Sequence, residues 1–457
     1  MAPFRGVRYA AGRVAGLAEV TSPPYDVIAH DIEDKLIAAD PHNIVRLILP
    51  RRLAGEGTGQ RGGDDFYADA AVALRQWQAG GILTPDAVPG LYVYEQAVLS
   101  GGGPGTEPGG APVVRVLQRG LIGGVGLVPA EDGVILPHED VVPGPVTGRR
   151  ELMEATQANL EPIYLIYDGS QPGGGAQGGA TGGLAGAASA LVESVATGRE
   201  PLLEASTEDG LRHRLWVVTD PAELAAVAAD LAPRSALIAD GHHRYAAYLQ
   251  LQDRRRKAGS GGGPWDYGLA LLVDSAAYPP QIGAIHRVIP GLAPAKAVDL
   301  VKGSFCVCPL PGGTQDLTGA LDALTAAAKD GPAFLLAGGG AVYLLTDPDP
   351  LQVDAAMPPG QSARWRGLAA SVLQQLLVNT IWGLRDDDRD VRIVHNDAAT
   401  AILAADRVPG GTAVICAPMT AADVYAIAAN GERVPRKSTS FGPKPRTGLV
   451  IRTFAES

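Results

Sequence analysis

Apolar and polar positions alternate along this chain in two rhythms, one helical and one extended. Phe66, Ala70, Leu74 and Trp77 recur at helical spacing behind Asp64 and Asp65, and Gly80-Gly81 ends the run. Leu91-Tyr92-Val93-Tyr94 and Val113-Val114-Arg115-Val116-Leu117 predict an antiparallel hairpin whose loop is the glycine-rich stretch 101–110. Residues 121–128 predict a further strand. Downstream, the pattern predicts a strand over 214–219, a helix over 221–231, a short strand over 236–239 and a helix over 240–257. The last of these ends in Arg254-Arg255-Arg256-Lys257, where positive charge complements the helix dipole. Toward the C-terminus, helices are expected over 317–328, 363–377 and 421–429. Strands are expected over 332–337, 341–346, 391–394 and 413–417. No internal repeat of solenoid period is visible. Helices mixed with strands, some in hairpins, predict an α+β fold of mixed and antiparallel sheets with flanking helices, not a doubly wound parallel sheet.

Length and composition narrow this picture. A chain of 457 residues, 46% hydrophobic and 19% charged, buries a sizeable core and exceeds one ordinary domain. The pattern divides it into an N-terminal α/β domain (1–170), a Gly-rich flexible insertion (171–200), a core segment (201–310) and a C-terminal α/β domain (311–457). The formal net charge of −11 argues against nucleic acid as the main partner. Three cysteines, Cys306, Cys308 and Cys416, make no disulfide framework and no zinc-finger pair, and read as strand cysteines in a reducing compartment. Without an apolar signal core or a membrane-length apolar run, the expected location is the cytoplasm, with no membrane partner.

The segment with the most chemistry is Asp240-Gly241-His242-His243-Arg244. A buried-looking strand meets a glycine and a helix begins at once. Helix N-terminal N–H groups carry partial positive charge, glycine permits close backbone approach, and two imidazoles and a guanidinium add donors. This predicts a phosphate site, with Asp240 placed to hold a metal ion or orient His242. The alternative is a polar cap or metal site with no phosphate. A second segment, Pro137-His138-Glu139-Asp140, follows an apolar strand over 133–136 and offers a carboxylate beside a histidine, the pairing of a general base. It is equally the composition of a surface loop. A third runs from Arg433 to Gly448 and joins Lys437-Ser438-Thr439 to Lys444 and Arg446 among rigid prolines, as an anion-binding loop or a solvated basic one. A fourth, Ser22-Pro23-Pro24-Tyr25-Asp26-Val27, fixes its backbone with two prolines and presents Tyr25 and Asp26 as pocket lining or as simple turn residues.

Taken in order, Pro23-Pro24-Tyr25-Asp26-Val27, Leu91-Tyr92-Val93-Tyr94-Glu95-Gln96, Pro137-His138-Glu139, Ile238 to Tyr245 and Lys437-Ser438-Thr439 resemble domain-of-unknown-function family 1015 (DUF1015). The Asp-Gly-His-His-Arg stretch is also similar to the phosphate-binding box of the ParB/sulfiredoxin superfamily, which includes free serine kinases. That resemblance implies a ParB/sulfiredoxin-like core elaborated by further α/β segments, and a nucleotide-dependent small-molecule kinase making O-phosphoserine from L-serine. Glu139 would be the base, with His138 and Asp240 catalytic. Gly241, His242, His243 and Arg244, with Lys437, Ser438 and Thr439, would hold the nucleotide phosphates, and Tyr25 and Asp26 would line the substrate pocket. Asp240 would place Mg2+, with ATP or ADP as phosphate donor and a hydroxy amino acid as acceptor. The sequence departs from the compact kinases in the hundred or so residues between Glu139 and Asp240, and in Gly148-Arg149-Arg150 where an acidic residue is usual. A non-catalytic ParB-like nucleotide-binding switch and a phosphatase or hydrolase of a phosphorylated metabolite are the alternatives. Oligomeric state is left open.

Overall fold

The computed structural model describes residues 1–50, 63–100, 113–170, 186–385 and 390–456. The chain forms two compact units, each discontinuous in sequence. The first comprises Met1–Leu136, Val141–Pro280 and Pro443–Ser457, and the second Pro137–Asp140 and Gln281–Gly442. These boundaries do not coincide with the sequence-based divisions at 170, 200 and 310.

The first unit is built on an eight-stranded mixed sheet. Its strands, in chain order, are β1 (Leu91–Ser100), β2 (Val113–Gly126), β3 (Ile135–Leu136), β4 (Ile163–Tyr167), β5 (Leu203–Ser206), β6 (Leu211–Val218), β7 (Ala236–Asp240) and β8 (Tyr267–Asp274). They lie in the order β3-β7-β4-β8-β2-β1-β6-β5. β7 runs parallel to β3, and β8 parallel to β4. The pairs β7–β4, β8–β2, β2–β1, β1–β6 and β6–β5 are antiparallel. Its longer helices include α1 (Gly63–Ala79), α2 (Pro143–Thr156), α3 (Ala187–Gly198), α4 (Pro221–Leu231) and α5 (His242–Lys257). One face of the sheet packs Ile163, Leu165 and Tyr167 against Val195 of α3, Val227 of α4, and Tyr248 and Leu251 of α5. A second cluster joins Leu74 and Trp77 of α1 to Val7, Ile44 and Leu152.

Three expectations shift here. The strand predicted over 121–128 is the continuation of β2, which runs unbroken for 14 residues. The polar residues that look like an interruption are cross-strand partners: Gln118 Nε2 donates to Gln96 Oε1, and Arg119 pairs with Glu95. The part of the 171–200 stretch from 187 onward is helix α3, which buries Leu191, Val192 and Val195. Alanine in that composition serves helix and close packing as well as loop. The glycine-rich stretches 101–110 and 171–185 lie outside the described residues.

The second unit centres on a six-stranded, wholly antiparallel sheet. Its strands are β9 (Ile285–Ile289), β10 (Cys306–Pro309), β11 (Phe334–Gly338), β12 (Ala341–Thr346), β13 (Arg392–His395) and β14 (Thr412–Cys416), in the order β10-β12-β11-β14-β9-β13. Phe334, Leu336 and Val414 pack on one face with Leu373, Leu376 and Leu377, while Leu335, Ala413 and Ile415 face Ala401 and Ile402. All three cysteines lie on strands, as expected. Among the described residues no helix is long and apolar enough to cross a membrane.

Candidate functional site

Strand β7 delivers the box. Ala236 to Ala239 are buried, and Asp240 closes the strand. Gly241 follows at φ 96°, ψ 30°, as the N-cap of α5. This left-handed turn needs glycine twice over. An L side chain is strained there, and a Cβ would stand 2.9 Å from Ile163 Cγ2 and 3.1 Å from Arg244 Nε. α5 carries no side-chain cap and no acidic residue in its first turn, while its last turn holds four basic residues. The positive end of its dipole is therefore not offset by a carboxylate of that turn.

The side chains of the box face different ways. Arg244 is buried and turned into the protein: Nη1 donates to the Pro162 carbonyl (2.7 Å) and Nη2 to Asp240 Oδ2 (2.6 Å). His242 is buried; His243 is half-buried, and its Nε2 accepts the Val142 N–H at 3.1 Å.

Around Arg244 the first unit gathers a charge cluster from four distant stretches of chain. Mutual backbone hydrogen bonds between Ser22 and Thr447 tie the Pro-Pro-Tyr-Asp turn to the C-terminal loop. Arg446 reinforces that junction by donating to the Thr21 hydroxyl and carbonyl. The result places the Lys444 ammonium between two carboxylates, 2.6 Å from Asp26 Oδ2 and 2.5 Å from Asp240 Oδ1. Tyr25 lies beneath the Arg149 guanidinium, whose carbon is 4.2 Å from the ring centre, with that of Arg244 at 5.8 Å. Glu161, buried, accepts the Tyr25 N–H at 3.0 Å and sits 3.5 Å from Arg149. Three acids (Asp26, Glu161, Asp240) and three bases (Arg149, Arg244, Lys444) thus form one linked cluster, with the Tyr25 ring against two of its arginines.

The acids divide by depth. Burial pushes the Glu161 and Asp240 carboxyls above their ordinary range, and for Asp240 the neighbouring Asp26 adds to this, against the pull of Lys444 and Arg244. Burial acts on Asp26 too, but Lys444 and Arg244 outweigh it and hold that carboxyl low. Of the three acids, Asp26 is the one whose charged form these surroundings favour.

Behind the box, a cavity of 20 Å³ touches Arg149, Glu161 and Arg244, room for a water and nothing larger. Of the cluster, Asp26 and Lys444 are the members at the surface, their side chains 36% and 20% exposed. A resident Mg2+ does not fit at Asp240, because each of its oxygens already meets a cation. Among the described residues no three His, Cys, Asp or Glu side chains converge as a metal site requires.

The remaining sequence candidates belong to the second unit. His138 is buried against the Phe441 ring, with Nε2 2.9 Å from Thr439 Oγ1. Glu139 follows on the same short segment, half-buried. Ser438 is buried and donates to the Pro435 carbonyl, and Lys437 is exposed at φ 54°. The structure brings the box together with the Tyr25-Asp26 turn in the first unit and assigns the Lys437–Thr439 candidates to the second. Sequence reasoning does not single out Glu161, meets Arg149 only as a departure from the kinase pattern, and gives Lys444 no partner. A lone Glu after Leu160 carries no local signal, and the Lys444–Asp26 pair spans 418 residues.

Fold and site together define a two-unit α+β protein whose mixed sheet ends in a buried charge cluster at a glycine turn. The chain belongs to the family described as protein of unknown function DUF1015, whose model matches residues 1–371. No curated protein matches it. Solved structures similar to it include a C-terminally truncated SbnI from Staphylococcus aureus, at 11% identity and TM-score 0.34, covering 73% of this chain and 87% of that one. A free serine kinase in complex with AMP is 14% identical at TM-score 0.34, covering 72% of this chain and 91% of its own. A conserved hypothetical protein from Pyrococcus furiosus is 12% identical at TM-score 0.33, covering 73% and 97%.

Proposed function

We propose that the first unit binds the phosphate groups of a nucleotide at the Gly241 turn, and that the protein transfers a phosphoryl group from it to the hydroxyl of a small molecule, with free L-serine the first acceptor to test. One observation carries the reading: strand β7 leads into Gly241 at a left-handed turn, and α5 starts there with no side-chain cap and no acidic residue in its first turn. That is the geometry in which backbone N–H groups receive phosphate oxygens. Lys444 adds a cation whose ammonium has a third N–H beyond the two engaged by Asp26 and Asp240. Phosphoryl transfer asks the protein chiefly for positioning and charge, which such a cluster supplies. The inward-facing Arg244 sets the turn, with only its Nε lacking a partner. The sequence resemblance to ParB/sulfiredoxin-type kinases gives the proton-accepting role to Glu139 and names ATP or ADP as donor.

The test is incubation of the full chain with ATP, ADP or pyrophosphate, magnesium and a panel of hydroxy amino acids, read by phosphorus NMR. The expected result is a phosphomonoester of serine formed at the expense of one donor. Glu139→Gln is expected to abolish transfer and leave nucleotide affinity within about threefold; unchanged turnover would remove Glu139 from the mechanism. Absence of nucleotide binding by calorimetry would overturn the phosphate site itself. The second reading, a nucleotide-binding switch without transfer, is favoured by the engagement of Asp240 with two cations, which leaves no open carboxylate at the box. Its signature is tight nucleotide binding with no phosphomonoester.

A further inference from the structure

The second unit contains a cavity of 360 Å³ that the reading above does not use. All its lining residues lie between Ile285 and Ser438. Its size falls in the range of metabolite sites. Leu368, Leu373 and Met419 give it apolar walls, and four cations (Arg287, Lys329, Arg364 and Lys437) face it together with two acids, Asp330 and Asp423. Asp423 pairs with Arg364 at 3.2 Å, which leaves Arg287, Lys329 and Lys437 against Asp330. The lining thus carries an excess of positive charge beside an apolar surface.

The wall at Lys437 is held in an unusual state. Lys437 is one of few non-glycine residues at positive φ (54°) among the described residues. The buried Arg287 fixes it there, donating at 3.1 Å to the Lys437 carbonyl and at 3.1 Å to that of Arg436. A glycine would adopt this turn without strain. A strained residue pinned by a buried guanidinium at a cavity rim marks a place where the side chain itself is needed.

We propose that this cavity is a second small-molecule site, for an organic anion with an apolar body, its carboxylate or phosphate head met by Lys437 and Lys329 and its body by Leu368, Leu373 and Met419. The site stands apart from the nucleotide reading and does not depend on it.

Isothermal titration calorimetry on the full chain, with hexanoate, hexyl phosphate, inorganic phosphate and hexylamine as probes, tests the proposal. Saturable binding of hexanoate or hexyl phosphate is expected, and which of the two binds more tightly identifies the head group. Lys437→Gln should weaken it at least tenfold, and hexylamine should not bind. Lys437→Gly should lose the anion equally while its thermal midpoint does not fall, which separates a binding role from a structural one. Failure of both hexyl anions to saturate, indifference to Lys437→Gln, or equal binding of hexylamine would overturn the site. Inorganic phosphate binding as tightly as hexyl phosphate would overturn the apolar part of the assignment.

Discussion

At the scale of single residues, Gly241 bears the heaviest constraint. Its φ of 96° and the 2.9 Å approach of Ile163 Cγ2 to the position of a Cβ act together. Gly241→Ala is expected to destabilise the first unit by about 1–3 kcal/mol, the range for a strained left-handed residue. Urea denaturation followed by circular dichroism measures it; a variant as stable as the parent would show that the turn relaxes at no cost. The need for glycine here was readable from sequence, because a strand meeting a helix across a single glycine is a local pattern. The orientation of Arg244 was not. An arginine in a first helical turn reads as a ligand donor, and only the fold reveals the Pro162 carbonyl and the Asp240 carboxylate that take its N–H groups. His138 has the same lesson: its ring packs on Phe441 and its Nε2 meets Thr439, partners some three hundred residues away in sequence.

At the scale of elements, the local code was most legible where a cap and an apolar stripe agree. The pattern delimits the helix 221–231, where Asp220 accepts from the N–H groups of Ala222 and Glu223, and the helix 421–429, where the Thr420 hydroxyl accepts the Asp423 N–H. The helix expected over 363–377 is instead interrupted. Ala363–Gly367 ends at Leu368 (φ −65°, ψ 134°), and a π-helical segment follows over Val372–Ile381. Gly367 weakens the helix there, and the buried Trp365 is anchored by its indole N–H to the Arg433 carbonyl. The apolar stripe continues through both pieces, so periodicity alone conceals the break. The junction of the Tyr25-Asp26 turn with the 443–447 loop was invisible for the complementary reason: neither segment has a period, and what joins them is an ammonium shared between two carboxylates. Lys444→Met would leave Asp26 and Asp240 facing each other with Arg244 as their remaining counter-charge. Because Asp26 and Lys444 keep some exposure, the expected loss is about 1–3 kcal/mol at pH 7, below that of a fully enclosed pair. Asp26→Asn combined with Lys444→Met should recover most of it, and the double-mutant cycle in urea reads the coupling. Additive losses would show that the bridge contributes nothing as a unit.

At the scale of the whole molecule, each unit contains a buried histidine whose titration reports on its folding. In the first, His213 is buried, with Nδ1 2.8 Å from the Tyr94 hydroxyl; burial, and then the charge of Arg446, push its pKa down to about 4. In the second, His286 is buried and its Nδ1 accepts the Cys416 N–H at 3.2 Å; burial, aided by Arg287 and opposed by Asp397, pushes it down to about 4 as well. A folded pKa depressed below the unfolded value of 6.5 means that the unfolded chain takes up the proton first. Each histidine therefore contributes stability that is complete above pH 6.5 and is lost as pH falls toward 4, by about 3 kcal/mol over the window. Glu161 and Asp240 act in the opposite sense: their raised folded pKa values give stability that is present at low pH and declines as pH rises past their ordinary range. Comparison with single variants removes that background. The difference in unfolding free energy between the parent and His213→Asn should shrink steadily from pH 7 to pH 4.5, with a slope approaching 1.4 kcal/mol per pH unit, and His286→Asn should do the same. If both histidines weigh on one transition, the parent curve steepens by both slopes at once. If two transitions separate, each variant should flatten only the transition of its own unit. A pH-independent difference for either variant would mean that its imidazole is protonated as readily in the fold as in water.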